Sequence, residues 1–241
     1  MSQPDAARSG NLLLASLHSS DRALLADRFE RVKLDREQVL SSANSPIEYV
    51  YFMEGGIASI VAASAENGRT EVGIFGRDGV SGTSLLLGVD RSPQETFVQV
   101  DGTEALRIRS GDYLDALERS ETLRLALLRY VQILLVQTGS SVVANARYQI
   151  EARLARWLLM CHDRTERDEI ALTHEFMAVM IGAQRSGVTL ALHILEGTGM
   201  ILSKRGRVII LDRSKLEELA GDSYGSAEAE YRRLIGPFGT A

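Results

Sequence analysis

Residues Thr173–Glu196 read THEFMAVMIGAQRSGVTLALHILE, and the spacing of small, turn-forming and apolar residues in this stretch decides the fold of the C-terminal third. Thr173 supplies a hydroxyl to cap a helix, and Glu175 in the first turn suits the positive end of the helix dipole. Ala178, Gly182 and Val188 stand where a helix-turn-helix needs a small crossing residue, a left-handed turn and an apolar wedge. Ile181, Ala191, Leu192 and Leu195 complete an apolar face. Gly187 lies inside the second helix and lowers its intrinsic stability, so packing has to hold that helix. Gln184, Arg185, Ser186 and Thr189 are left for the outer face near the helix N-terminus, the end that meets base edges in a major groove. Arginine pairs bidentately with a guanine edge, glutamine with adenine, and serine with base or phosphate. Leu190 adds a possible contact to a thymine methyl. A strand pair follows, Met200–Ser203 and Arg207–Leu211, with Lys204, Arg205 and Arg207 around Gly206 at its tip. That tip has the composition of a wing that grips phosphate. A plain helical hairpin would leave both the outward polar cluster and the basic turn without explanation.

Upstream the pattern is different. Ile47–Phe52, Ala58–Ala62 and Thr96–Val100 are short β-prone runs, punctuated by Gly55-Gly56, Asn67-Gly68, Gly79 with Gly82, and Asp101-Gly102. Short strands at this spacing predict a β-sandwich or barrel, and Asn67-Gly68 is a hairpin signal. Asp21–Phe29 reads as a short amphipathic helix packed on that body. After Tyr113 the period becomes helical. Leu128, Val131, Leu135, Thr138, Val142 and Asn145 recur at spacings of three and four, a seam along one helix face. A helix from Leu117 to Ala146 would be roughly 45 Å long, more than one small domain needs, so self-association through Leu128, Val131, Leu135 and Val142 is expected.

Composition narrows the classes. The 241 residues carry 27 Lys and Arg against 32 Asp and Glu, a formal charge of −5, with 45% hydrophobic and 24% charged residues. These are globular proportions and exclude a disordered or collagen-like chain. The acidic average hides a basic segment: within 182–215, Arg185, Lys204, Arg205, Arg207, Arg213 and Lys215 face only Glu196 and Asp212. Such a segment attracts phosphate locally while the acidic remainder discourages indiscriminate binding. Cys161 is the single cysteine, which excludes an intramolecular disulfide and a four-thiolate iron–sulfur cluster. The uncharged run Tyr130–Ala146 contains Gln132, Gln137, Ser140, Ser141 and Asn145, too polar for lipid, so no membrane association is expected. Met1–Asp5 lacks the basic and apolar order of a secretory signal, and a reducing, cytoplasmic compartment is expected. Catalysis is not. His174-Glu175 has Ala178 where a metalloprotease helix needs its second histidine, and Gly76–Gly82 lacks a P-loop lysine. Gly197-Thr198-Gly199 lacks the third glycine of a dinucleotide loop, and no residue set predicts a metal site.

The order of parts resembles the Crp/Fnr family of bacterial transcription regulators over nearly the whole chain. The most specific stretches are Ile150–Leu159 (IEARLARWLL) and Gly182–Thr189 (GAQRSGVT). The resemblance implies an α+β architecture. A cyclic-nucleotide-binding-like β-roll (jelly-roll) sensor would span 10–116, a dimerisation helix 117–146, and a winged helix-turn-helix 147–220, followed by a helical tail over 221–241. It implies a homodimer on an inverted repeat of double-stranded DNA, two recognition helices about 34 Å apart, and RNA polymerase as a further partner. A hinge for effector control is expected near 147–150. Thr173, Gln184, Arg185, Ser186, Thr189, Lys204, Arg205 and Arg207 would contact DNA.

The effector is not implied so directly. Gly79–Ser84 looks like a degenerate nucleotide-cradling loop, making Gly79, Gly82, Thr83 and Ser84 candidate pocket residues, with Thr138 matching a hydroxyl that members present to the purine. Thr83 replaces the glutamate that cyclic-AMP-binding members offer to the ribose. Gln94-Glu95 replaces their Arg-Ser pair, leaving Arg91 nearby as a weak substitute. A carboxylate repels a phosphate and offers it no donors, so cyclic AMP in the usual mode is not expected. Haem is not expected either, because His18 is the one histidine near the β domain. Thr138 reads equally as a buried threonine bonded to its own backbone, and Cys161 as a core residue. The alternative function is a small-molecule-binding module that acts through a protein partner without DNA contact. Its docking residues would come from the acidic tail around Glu228, Glu230, Tyr231 and Arg232, which otherwise packs as a terminal helix.

Overall fold

In the computed structural model, the described residues are 9–64, 68–99, 103–165 and 167–239. Helices α1 (Leu12–Ser16) and α2 (Ser19–Ala26) lead into strands β1 (Glu30–Leu34), β2 (Val39–Ser41), β3 (Tyr49–Met53), β4 (Ala58–Ser64), β5 (Gly68–Phe75), β6 (Glu95–Val98) and β7 (Thr103–Arg109), with a short helix α3 (Thr83–Leu86) before β6. They form two antiparallel sheets, ordered β1-β7-β3 and β2-β6-β4-β5. The β4–β5 pair closes with Ser64 opposite Gly68, whose φ is 76°. Asn67, Val100, Asp101-Gly102 and Met1–Asp5 lie outside the described residues. Strands β3, β4 and β6 fall on the three β-prone runs. β1 (ERVKL) and β7 (TEALRIR) mix charged with apolar residues; β1 buries only Leu34, and β7 buries Ala105, Leu106 and Ile108. Leu34, Val50, Phe52, Ala105, Leu106 and Ile108 form the core between the layers.

The long helix starts later than Leu117. Helix α4 (Ser110–Arg119) contains that residue, and the chain leaves helical geometry at Ser120 before α5 (Glu121–Arg147) begins. Ser120 makes this break because its Oγ accepts from Leu123 N–H at 3.1 Å and donates to Asp21 Oδ1 at 2.6 Å, an N-cap anchored from the side. One face of α5 buries Leu123, Leu127, Tyr130, Ile133 and Gln137 against the β domain. The Gln137 amide works like an extra strand residue, accepting from Ile74 N–H at 2.8 Å and donating to Ile74 C=O at 3.1 Å. Thr138 Oγ1 donates to Val72 C=O at 3.0 Å, so its backbone partner is strand β5 and not its own helix. Together they satisfy the free edge of β5, which would otherwise present unpaired backbone groups. By length and composition α5 is apolar enough to cross a membrane; here these polar side chains fasten it to a sheet. On the opposite face Leu135 is 64% and Val142 63% exposed, with Leu128 and Val131 half-buried between them and the sheet.

Tyr148 and Gln149 are extended, and helix α6 (Ile150–His162) turns away from α5. Every residue from Leu154 to Arg164 is buried. A helix enclosed on all sides needs apolar partners all round. It finds them in the helix-turn-helix on one side and in Ile57, Val61, Ile74 and Phe97 of the four-stranded sheet on the other. Two polar links cross that junction. Trp157 Nε1–H donates to Glu71 Oε1 at 2.8 Å, while Ser59 Oγ lies 2.8 Å from Glu71 Oε2. Arg164 Nη2 pairs with Asp78 Oδ2 at 2.8 Å, both side chains almost fully buried. Burial pushes the Glu71 carboxyl up to about 8, against smaller opposing effects from Ser59, Trp157 and Arg156.

The raised value has a definite sign in the pH dependence of stability. The folded chain holds the Glu71 proton between the unfolded value near 4.5 and about 8, so stability falls as pH rises through that window. Glu71→Gln keeps the shape without the proton. We expect it to remove a stability slope of up to about 1.4 kcal/mol per pH unit, read as the wild-type-minus-variant difference in urea unfolding at pH 5.5 and 7.5. An identical slope in both proteins would refute the assignment.

Candidate nucleic-acid interface

Helix α7 (His174–Met180) and helix α8 (Arg185–Gly197) meet at 105°, and strands β9 (Ile201–Lys204) and β10 (Arg207–Ile210) form a hairpin beside them, extended by β8 (Glu169–Ile170). Thr173 Oγ1 accepts from Phe176 N–H at 3.2 Å, the N-cap of α7. Ala178 and Val188 are buried between the helices, and Gly182 has φ 59°, the left-handed value that admits the turn. Gly187 serves a close approach. A Cβ there would stand 2.8 Å from Ile150 Cδ1, so the glycine lets α6 press against the recognition helix. Arg153 on α6 contributes something the residue pattern did not disclose. Its Nη2 donates to the carbonyls of Ile181 and of Gly182, the latter at 3.2 Å, so it satisfies acceptors left open where α7 ends.

Gln184, Arg185, Ser186, Leu190 and His193 are exposed. Arg185 shares an open groove of about 650 Å³ with His174, His193, Lys204 and Arg205, and Glu175 and Glu196 are its acidic lining. The groove runs between the recognition helix and the hairpin tip. Its relative orientation is held by Glu196 Oε1, which accepts from Ser203 N–H at 2.9 Å, and by Leu172 N–H donating to Gly206 C=O at 2.9 Å. Lys204 and Arg205 stand at the tip with exposed side chains. Two expected contacts are differently placed. Thr189 is half-buried, its hydroxyl 3.1 Å from His174 Nδ1 and donating to Arg185 C=O at 3.0 Å. Arg207 spends part of its charge on Glu169, at 3.2 Å. It stands opposite Lys204 in the hairpin register.

The candidate effector residues are spread over the turn after β5, helix α3, the approach to β6 and helix α5. Gly79 packs against the Tyr130 ring and its carbonyl accepts from Asn11 Nδ2–H at 2.8 Å. Gly82 has φ 70° and precedes α3, which holds Thr83 and Ser84. Arg91 folds onto Asp90, at 2.9 Å. Gln94 N–H donates to Ser92 Oγ at 3.1 Å, Glu95 pairs with Arg69, and Thr138 is committed to β5. Cys161 is buried, and burial pushes its thiol well above the usual range. Its neighbour His162 is held by Asp168 and Arg213. Among the described residues no group of three His, Cys, Asp or Glu side chains is placed to hold a metal.

Comparison with known proteins agrees with this geometry. Residues 152–219 match the family described as the Crp-like helix-turn-helix domain. No curated protein matches the chain by sequence. Solved structures match over most of its length. FixK2 from Bradyrhizobium japonicum aligns with TM-score 0.67 at 17% identity, covering 80% of this chain and 98% of its own. A CRP-family transcriptional regulator from Thermus thermophilus aligns with TM-score 0.67 at 19% identity, covering 82% and 99%. The c-di-GMP-responsive global regulator CLP from Xanthomonas campestris aligns with TM-score 0.63 at 14% identity, covering 80% and 99%. The fold is that of a β-roll joined through a long helix to a winged helix-turn-helix. Residues 152–219 therefore belong to the Crp-like helix-turn-helix family, and the chain as a whole has the fold that these transcription regulators share.

Gly182→Ala tests the turn. A side chain forced into the left-handed region costs roughly 1–2 kcal/mol, so the urea midpoint should fall with the slope of the transition unchanged. A neutral result would show that the φ of Gly182 is not needed.

Proposed function

We propose that this protein is a homodimeric, sequence-specific DNA-binding regulator of transcription that reads an inverted repeat with Gln184, Arg185 and Ser186. The observation that carries this reading is the exposed N-terminal edge of α8, which shares one groove with the basic tip of the wing. Base edges meet Arg185 and Gln184, and phosphates meet Lys204 and Arg205. Thr173 at the N-terminus of α7 faces the same groove. Thr189 supports the edge from behind through His174, and Arg207 adds phosphate contact only beyond its pair with Glu169. Leu190, 60% exposed, is placed for a thymine methyl.

The dimer is proposed through Leu128, Val131, Leu135 and Val142 on the face of α5 turned away from the β domain. Two exposed aliphatic side chains one heptad apart, Leu135 and Val142, are the pattern of an uncovered helix seam. Pairing there would set two recognition helices at the spacing of successive major grooves. The extended residues Tyr148 and Gln149 would let the DNA-binding domains adjust. No catalytic step belongs to the proposal; the proteins sharing the fold are transcription regulators, and a cytoplasmic location with RNA polymerase as a further partner follows from that role. Cyclic AMP in the usual mode is not part of it, because Thr83 and Gln94-Glu95 stand where that mode needs a glutamate and an Arg-Ser pair.

Selection of bound fragments from random duplexes, followed by mobility-shift titration over a salt series, tests the reading. Arg185→Ala should cost about 1–3 kcal/mol and relax base choice at one position of each half-site. Lys204→Ala should weaken all sequences alike and reduce the salt slope by about one. Recovery of no common sequence, with no retention at low salt, would favour action through a protein partner. Leu135→Glu should convert the dimer to monomer in sedimentation velocity; an unchanged mass would refute the seam.

A further inference from the structure

A second cleft, of about 380 Å³, opens where strands β2 and β6 and Arg69 of β5 meet helix α7. It is separate from the DNA groove and from Gly79–Ser84, and of the candidate effector residues only Glu95 lines it. Ligand sites of this size favour junctions between structural units, where a mostly apolar wall carries a few placed polar groups. The wall here is aromatic. Phe97 from β6 and Phe176 from α7 meet edge to face, centroids 6.3 Å apart at 89°, and Val179 and Met180 continue it along the helix. Val39 of β2 lines the other side and is 44% exposed.

The polar groups are unequal. The Arg69 guanidinium lies 5.0 Å from the Phe97 ring centroid and pairs with Glu95 through Nη2. A planar guanidinium has five N–H donors, more than one carboxylate contact uses, and Arg69 is 49% exposed. A cation stacked on an aromatic wall is preorganised for a flat ligand with a negative group at its edge. Glu37 lies on the same lining with φ 63°, a strained conformation for a side-chain-bearing residue, of the kind that clusters at ligand clamps. Its carboxylate and that of Glu95, also on the lining, oppose a second negative charge.

We propose that this junctional cleft binds a small planar aromatic monoanion, its ring against Phe97 and Phe176 and its carboxylate or sulfonate on Arg69. The ligand would touch sensor strands and α7 together, so its occupancy biases the position of the recognition helix that α7 carries. That consequence rests on the DNA-binding reading above; the binding itself does not.

The full-length protein is titrated with the aromatic sulfonate 1-anilinonaphthalene-8-sulfonate, read by energy transfer from Trp157, the single tryptophan, whose ring centroid is 6.4 Å from that of Phe176. We expect saturation at one probe per chain and displacement by salicylate but not by benzylammonium or c-di-GMP. Arg69→Gln, a change at a half-exposed position, should weaken binding at least tenfold, and Val179→Trp should abolish it by filling the cleft. Equal binding by wild type and Arg69→Gln, or displacement by benzylammonium instead of salicylate, overturns the proposal. Mobility-shift titration with and without salicylate is scored separately. A protein that binds the probe as predicted but retains no duplex fails the DNA reading alone, and one that retains duplex but shows no Arg69-dependent binding fails this site alone.

Discussion

Arg164 and Asp78 hold the molecule's two halves to each other. Both are almost fully buried, so each charge has lost its water and depends on the other for compensation. Asp78 Oδ1 also accepts from Gly76 N–H at 2.7 Å, fixing the turn after β5, while Arg164 Nη1 donates to Met160 C=O at 2.7 Å, fixing the end of α6. The Arg164 guanidinium lies over Phe238 at 5.2 Å. One side chain therefore joins a sensor turn, the first helix of the DNA-binding domain and the C-terminal segment. The wing and recognition helix are built outward from that helix, and their orientation follows from where this pair places it.

The junction has consequences beyond anchoring. The four-stranded sheet is covered on both faces, by the other sheet and by the helix-turn-helix, so the β domain and the helix-turn-helix share a core. Sharing a core makes coupling cheap. A change at β5 or β6 reaches α7 through contacts already made, through Trp157 and Glu71 or through Phe97 and Phe176. No diffusible ligand has to span the distance to the recognition helix. The same economy explains why β5 matters more than its edge position implies. It binds α5 through Gln137 and Thr138 on its edge, and α6 through Glu71 on its face.

Much of the reading head was legible because its constraints are local. A threonine cap, a small residue, a turn glycine and an apolar wedge act over a few residues, and Thr173, Ala178, Gly182 and Val188 hold those places in the structure. The hidden part is what arrives from elsewhere in the chain. Nothing near Gly187 announces that Ile150 lies against it, and nothing near the turn announces Arg153. Charged strands such as β1 escaped notice because half of a two-sided strand faces solvent and carries no apolar signal. Helix α5 was placed too early because the cap at Ser120 gains its strength from Asp21, ninety-nine residues upstream.

By itself the sequence determined the class of the molecule: a β-rich sensor, a long helix with an apolar seam, and a helix-turn-helix with a basic wing. Periodicity and turn chemistry are properties of neighbouring residues, and they survive without knowledge of the fold. Tertiary structure alone decided which side chains remain available. Thr189, Arg207 and Thr138 each have suitable chemistry, yet each is engaged by a partner that only folding brings within hydrogen-bond or ion-pair distance. It also created the cleft at Phe97 and Phe176, whose walls come from segments nearly eighty residues apart. A binding surface assembled from distant segments has no sequence period to betray it.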